Sequence, residues 1–442
     1  MAQMQHFTSW GLRKAQSELM APAFRSDARL HPRLTTLPVG LGRSYGDSAL
    51  NDGGAVLSNL SLKRIISFDS AAGLLRAESG ASFYDLLQFL IPHGFFLPVV
   101  PGTQYVTLAG AVANDIHGKN HHRAGNFGRH VMRFELLRSS GEKIVCSREE
   151  NAELFRATIG GLGLTGFISW VEISVPKIKS SIIDQEIIPF DNLDDYFDLA
   201  EESDLTHEFT MSWIDVLSSR GNDLRGLYMR GNFADQGALE FVPSGKLLRV
   251  PFDLPDFTLN NFSVRGFNSL YALKGNFSKG LSKISYRPFF FPLDSVLHWN
   301  RIYGHSGFYQ YQLVIPPFHA REATRALLNE ITLSGEGSFL AVLKNFGKIE
   351  SEGLLSFPRE GVTMALDFRD QGKKTLELFD KLDRIVFEAG GALYPAKDGR
   401  MNHAAFVNSV GGEDHLQEFA KYKDPKFSSS FWRRVMNESS PA

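Results

Sequence analysis

Residues 39–54 read VGLGRSYGDSALNDGG. Five of these sixteen positions are glycine, with Arg43, Tyr45, Asp47 and Asp52 threaded between them. Glycine admits positive φ and lets a ligand approach the main chain, so such a loop is suited to offering backbone N–H groups to an anion. It is not a dinucleotide fingerprint. After Gly40-x-Gly42 the next glycine is Gly46, and the DSALNDGG that follows reads as more loop where a Rossmann turn would open a helix. No Gly-Lys-Ser/Thr follows, so a Walker loop is excluded as well. Two readings stand open from these residues alone: a surface turn, or a cradle for a phosphate-bearing ligand.

The rest of the chain offers two further small-residue segments. PGTQYVTLAGAVANDIHGKNHHRAGNFG, residues 101–128, mixes glycine and alanine with His117, His121, His122, Lys119 and Asn120. The histidines lack the HExxH spacing and have only Asp115 nearby as an acidic ligand, so hydrogen bonding to a polar ligand accounts for them better than a metal. TIGGLGLTGF, residues 158–167, precedes the strand-like ISWVEISVP. Three such loops before residue 178 imply one extended ligand held by a single N-terminal domain.

Composition bounds the function class. The 442-residue chain is 43% hydrophobic and 22% charged with net charge −2, which leaves no basic footprint for nucleic acid. The opening MAQMQHFTSWGLRKAQ has no apolar signal core and no run is long enough to span a membrane, so a cytoplasmic protein is expected. The single cysteine, Cys146, lies in the strand-like KIVCS and is expected to be a small buried apolar residue. Thirty-six phenylalanines suit a core, with a wide apolar pocket as the alternative.

Periodicity predicts mixed layers. Ser82 is an N-cap for a helix whose apolar positions Phe83, Leu86, Leu87, Leu90 and Ile91 share one face. Helices are also expected over DNLDDYFDLAEES and near 319–331 and 373–389, with strands at GFYQYQLVIPP, FLAVLKNFG and GVTMALDF. The alternation in QYQ puts Gln310 and Gln312 on one face. Residues 247–269 lack a sustained period and read as a long irregular loop on the substrate side. The expected organisation is α+β, with domains at 1–178 and 179–390 and a C-terminal segment, 391–442, returning to the first.

GLGRSYGD, PGTQYVTLAG, DIHGKNHH, GLTG, QYQ and YPAKD together resemble the flavoprotein oxidases of the vanillyl-alcohol-oxidase/PCMH fold, and within it the oxidases of decaprenylphosphoryl-ribose type. The resemblance runs from about residue 36 to the C-terminus. It implies a PCMH-type FAD-binding domain joined to a mixed α/β substrate domain. By it, Gly40, Leu41, Gly42, Arg43 and Ser44, then Tyr45, Gly46, Asp47 and Ser48, become FAD contacts. So do Gly102, Thr107, Leu108, Ala109 and Gly110, followed by His117, Gly118, Lys119, Asn120, Ile168 and Tyr394. Many relatives carry a histidine covalently bonded to the flavin where this chain has Tyr45, which implies noncovalent FAD.

The implied reaction is removal of hydride from C2 of a lipid-linked pentose, giving a keto sugar, with flavin N5 as acceptor. Lys397, His117, Gln312 and Lys344 are the implied catalytic residues, Lys397 handling the hydroxyl proton or orienting the alcohol. Trp213, Gln310, Tyr311 and Phe346 are the implied substrate walls, beside Gln312 and Lys344. Actinobacterial members carry a cysteine where this chain has Ala365. A short-chain reductase partner, completing an epimerisation in cell-wall polysaccharide synthesis, and a peripheral membrane encounter are implied as well. Alternatives are an oxygen-using aldonolactone or alditol oxidase, and a flavin-binding scaffold for a reductase.

Overall fold

The structure, a computed structural model, describes residues 4–243, 248–255, 258, 260–338 and 340–439. Its first half is built on two small sheets. The four-stranded one runs Met4–Thr8, Lys14–Met20, Ala55–Ser58, Thr36–Val39, with parallel pairing at its inner strands. A five-stranded antiparallel sheet takes Ile65–Asp69, Leu74–Glu78, Phe167–Ser174, Val131–Leu137 and Lys143–Ser147, in that order. Against it packs the helix Phe83–Leu90. Ser82 and Asp85 close a capping box at its N-terminus, and Phe83, Leu86, Leu87 and Leu90 are buried. Cys146 is fully buried in this core, as its apolar neighbours require.

The second half is one antiparallel eight-stranded sheet. Its order is Gly280–Ser285, Ile182–Asn192, Asp223–Phe233, Phe209–Ile214, Ala341–Phe346, Gly361–Arg369, Phe308–Ile315, Ala392–Leu393. Strand alternation gives the sheet two unlike faces. Tyr311, Leu313 and Ile315 join Leu343, Met364 and Leu366 in a core closed by the helices Leu193–Thr206, Ala320–Ser334 and Lys373–Glu388. Gln310, Gln312, Lys344, Thr363, Ala365 and Asp367 point the other way, toward the first half. Apolar side chains fix the sheet on its helices, and that same register presents a polar row to the opposite side.

The irregular loop expected over 247–269 is corrected in part. Leu248–Arg249 form a short strand, and a helix occupies Asn261–Phe277. Asn260 caps it, its side chain accepting from the amides of Phe262 and Ser263. The helical period is hard to see in sequence because apolar residues lie on both sides of the helix. Residues 247, 256, 257 and 259 of that expectation lie outside the described residues.

The C-terminal helices tie the halves together. Phe406, Phe419, Phe431 and Trp432 enter the large core, while Thr36 bridges to Phe427 and Arg434 ion-pairs with Asp47 at 2.6 Å.

Candidate active site

A cavity of about 400 Å³ lies between the polar row and the loops of the first half. One end is made largely of main chain. Gly42 adopts φ +62° with open space where a side chain would stand, and Gly40 packs so tightly on Thr107 that a Cβ would collide with its hydroxyl. Among the described residues, the amides of Leu41, Gly42, Arg43 and Ser44 enter no backbone hydrogen bond. Two further polar atoms on this wall, Ser48 Oγ and Asn59 Oδ1, are buried without a partner. Buried polar groups normally have partners, so this wall is organised for a ligand rich in acceptors and donors. Arg43 adds a positive charge, its guanidinium 4.3 Å over Trp10 and its Nε donating to the Tyr105 carbonyl at 3.1 Å.

The other end is made of side chains bonded to one another. His117 Nε2 lies 2.8 Å from Gln312 Nε2, and its Nδ1 lies 2.8 Å from Lys344 Nζ, which also donates to the Gly118 carbonyl. The proton positions follow from Thr363. Its hydroxyl donates to the Leu313 carbonyl at 2.7 Å and can therefore only accept from the Gln312 amide, 3.4 Å away. Gln312 then presents N–H to His117 Nε2. The ring proton sits on Nδ1, facing a Lys344 nitrogen that must supply a lone pair. Neutral Lys344 satisfies every direction, and burial, helped by the charges of Lys119 and Lys397, brings its pKa to about 7. Burial, then the Lys344 charge, likewise holds the His117 pKa well below the ordinary histidine value, so the ring is neutral.

Next to this triad stands Lys397. Its ammonium lies 4.2 Å over the Tyr45 ring, and burial lowers its pKa to about 8 against the opposing pull of Asp367. Asp367 is fully buried, and that burial raises its pKa to about 7. It accepts from Gln310 Nε2 at 2.8 Å and from the Tyr303 hydroxyl at 3.5 Å. A lysine near neutrality, exposed to a cavity and backed by an amide–carboxyl pair, can hold or take a proton at little cost at physiological pH.

Of the residues expected at the cofactor, Gly40 to Tyr45, Ser48, Gly102, Thr107, Ala109, Gly110, His117, Gly118, Lys119, Ile168 and Tyr394 line the cavity. Four do not. Leu108 is buried in the first core, and Asn120 turns away to donate to the Pro98 carbonyl. Asp47 is held by Arg434, and Gly46 faces the Asp398 carbonyl, which a Cβ there would strike. On the substrate side, Gln310, Gln312, Lys344, Ala365 and Lys397 line the cavity. Tyr311 is a correction: alternation sends it to the helix face, where its hydroxyl donates to Asp383 at 2.8 Å. Phe346 stands behind His117, ring centroids 4.9 Å apart, and Trp213 packs on Tyr271 at 4.8 Å; neither reaches the cavity wall. Sequence reasoning missed Thr363 and Asp367. Both share the face of Ala365 at two-residue spacing, a signal present in GVTMALDF.

Comparison with known proteins agrees with this geometry. Residues 28–147 match the FAD binding domain family. The chain is 36% identical over 414 residues to decaprenylphosphoryl-beta-D-ribose oxidase of Mycolicibacterium smegmatis, covering 90% of this chain and 88% of that protein. The chain belongs to the decaprenylphosphoryl-β-D-ribose oxidase family. It is an FAD-dependent oxidoreductase with a PCMH-type FAD-binding domain. An uncharacterised protein of Streptomyces coelicolor is 28% identical over 80% of this chain and 99% of its own length. D-arabinono-1,4-lactone oxidase of Debaryomyces hansenii matches only 27% of this chain and 21% of its own, at 32% identity. The chain's own residues fit FAD: the amides of residues 41–44, which make no backbone hydrogen bond among the described residues, with Ser48 and Asn59 suit a pyrophosphate-bearing molecule, and the wall carries Arg43.

Proposed function

We propose that this oxidoreductase oxidises the C2 hydroxyl of a pentose carried on a polyprenyl phosphate, giving the 2-keto sugar. The observation that carries the reading is the enclosure of Lys397 beside the His117–Gln312–Lys344 triad, facing the same cavity as the cofactor-type loop. The relative from M. smegmatis carries decaprenylphosphoryl ribose in its name. Residues 1–178 together with 391–442 are read as the cofactor-holding part, and 179–390 as the substrate side.

Bound FAD supplies the hydride acceptor, and the residues that would hold it are Gly40 to Tyr45, Ser48, Thr107 to Gly110 without Leu108, and Tyr394. Lys397 Nζ, neutral in a substantial fraction near its pKa of about 8, takes the hydroxyl proton as the carbon gives up hydride. Asp367 and Gln310 fix Lys397 from behind by charge and position. Gln312 offers its amide oxygen to a sugar hydroxyl and Lys344 its remaining N–H to the sugar or its phosphate, with His117 holding both in place. Tyr394 anchors the floor by donating to the Asn114 carbonyl at 2.8 Å. A short-chain reductase acting on the keto product would complete an epimerisation, and the lipid carrier calls for a membrane-surface encounter on the cytoplasmic side.

The test is anaerobic bleaching of the flavin absorbance with a polyprenyl-phosphoryl pentose, free alditols and aldonolactones. Fast bleaching by the lipid-linked pentose supports the reading. Equal bleaching by a free alditol or lactone would assign the chain to aldonolactone or alditol oxidation, and bleaching by none would leave a flavin-binding scaffold.

A further inference from the structure

The helix Asn261–Phe277 is apolar on both sides. Its inner side, with Val264, Asn268 and Ala272 buried, lies on the sheet: Tyr271 packs on Trp213 and Gly275 on Leu227. On its outer side Phe262, Leu270, Leu273 and Phe277 fall within an arc of about 80° at 100° per residue. They are 87%, 69%, 52% and 84% exposed, and Leu281 continues the stripe on the neighbouring edge strand at 84%. Polar residues, Arg265, Ser269 and Asn276 on one flank and Ser263 and Lys274 on the other, separate this stripe from the side packed on the sheet, so the helix carries a second apolar face that its own core does not use. Exposed apolar surface of this extent marks an interaction site.

The charges say what kind. Residues 260–293 contain no aspartate or glutamate, while Lys274 and Lys279 flank the stripe with no ion pair among the described residues. On the neighbouring strand Asp184 is taken by Lys283 at 2.9 Å and Glu186, opposite Leu281, by Arg230 at 2.7 Å, so the charges without an ion pair beside the stripe are, among the described residues, the two lysines. This face adjoins the cavity. The strand Leu248–Arg249, whose Leu248 is exposed, pairs with Val296–Leu297 of the cavity wall, and Trp213 under the helix pairs with Val342 of the same wall. No helix among the described residues is long and apolar enough to cross a membrane.

We propose that the outer face of Asn261–Phe277, with Leu281, Lys274 and Lys279, docks on the surface of an anionic lipid bilayer and holds the cavity beside it. Phenylalanine and leucine enter the headgroup boundary while lysines meet anionic headgroups, the arrangement of an interfacial amphipathic helix. The docking surface stands on these residues alone; its use in receiving a lipid-linked substrate rests on the function proposed above.

The test is co-sedimentation of the holoenzyme with phosphatidylcholine vesicles, with and without phosphatidylglycerol, at low and physiological salt. Expected are binding to the anionic vesicles that weakens with salt, and a drop of about tenfold or more in Leu270→Asp/Leu273→Asp/Phe277→Asp and in Lys274→Glu/Lys279→Glu. Flavin content and melting temperature confirm that each variant folds. Failure of wild type to bind, or unchanged binding by both variants, would overturn the proposal. So would concentration-dependent self-association abolished by the same aspartates, which would make the face an interface between copies of this chain. Vesicle binding without oxidation of the lipid-linked pentose would leave the docking surface standing and sink the substrate reading.

Discussion

The two ends of the cavity solve different problems with different material. At the loop end, residues 41–44 present main-chain amides that, among the described residues, have no backbone partner, and side chains matter there chiefly by being absent at Gly40 and Gly42. At the sheet end, Gln310, Gln312, Lys344, Thr363 and Asp367 present side chains already bonded to one another or to His117. The first end offers main chain to whatever it binds and the second is preorganised by its own side chains. A loop of amides binds any pyrophosphate of the right length, whereas a bonded network fixes proton positions and therefore chemistry. Substitutions should accordingly divide into losses of cofactor at one end and losses of turnover at the other.

The sharpest break is Lys397→Ala. It should retain FAD yet slow anaerobic flavin reduction by about 10²–10⁴-fold, the usual worth of a general base. Wild-type rates would remove the lysine from the chemistry. The same group sets the pH profile. Because its pKa is lowered to about 8, the proton-accepting form grows as pH rises, so the reduction rate should climb from pH 6 and level off above roughly 8 to 9. A stopped-flow profile falling over that range would reverse the assignment.

Gly46→Ala probes the other end. Its Cβ would strike the Asp398 carbonyl, beside Lys397, so the cost of about 1–3 kcal/mol should appear as weaker FAD binding and a lower melting temperature. A normal flavin dissociation constant and Tm would show that the loop and the turn move apart freely. Thr363→Val is smaller. It keeps the shape and removes the hydroxyl that accepts from the Gln312 amide and donates to the Leu313 carbonyl, so flavin reduction should fall by about 2- to 10-fold with FAD affinity unchanged. An unaltered rate would unpin the proton assignment of the triad.

The smallest effect is expected at Ala365. Thiol alkylation of the folded wild type should neither release FAD nor reduce turnover, since the only cysteine is fully buried in the five-stranded sheet's core. Ala365→Cys should add a labelling site that substrate protects. Loss of wild-type activity, prevented by substrate, would relocate Cys146. Acid precipitation should likewise release intact FAD, and colour retained in the washed pellet would show a covalent bond.

Much of the loop end was legible in sequence because glycine announces itself: Gly40, Gly42 and the amides between them need no tertiary information to be suspected. The sheet end was legible only through alternation. That rule placed Gln310 and Gln312 on one face, which the structure turns to the cavity, and applied once more it places Tyr311 on the helix side and Asp367 beside Ala365. Resemblance had suggested otherwise for Tyr311, and the strand's two-residue period decided the matter. The helix Asn261–Phe277 escaped because its period is visible only if one face is polar, and here both are apolar. Asp47 and Gly46 sit in the right loop, yet long-range contacts with Arg434 and Asp398 claim them, and no local pattern announces a partner so far along the chain.

Those late contacts bear on how the protein is made. Arg434 grips Asp47, Arg433 donates to the Asn51 side chain, and Phe427 lies beside Thr36, so the glycine loop is braced by residues synthesised long after it. Domains generally fold from the N-terminus as they leave the ribosome. The early sheets can therefore collapse during translation, but the walls around the cofactor close only after the helix Ser430–Met436 has emerged. Ribosome-tethered chains stopped short of Phe427 should be structured and colourless, and flavin loading becomes a step that follows synthesis of residues 427–434.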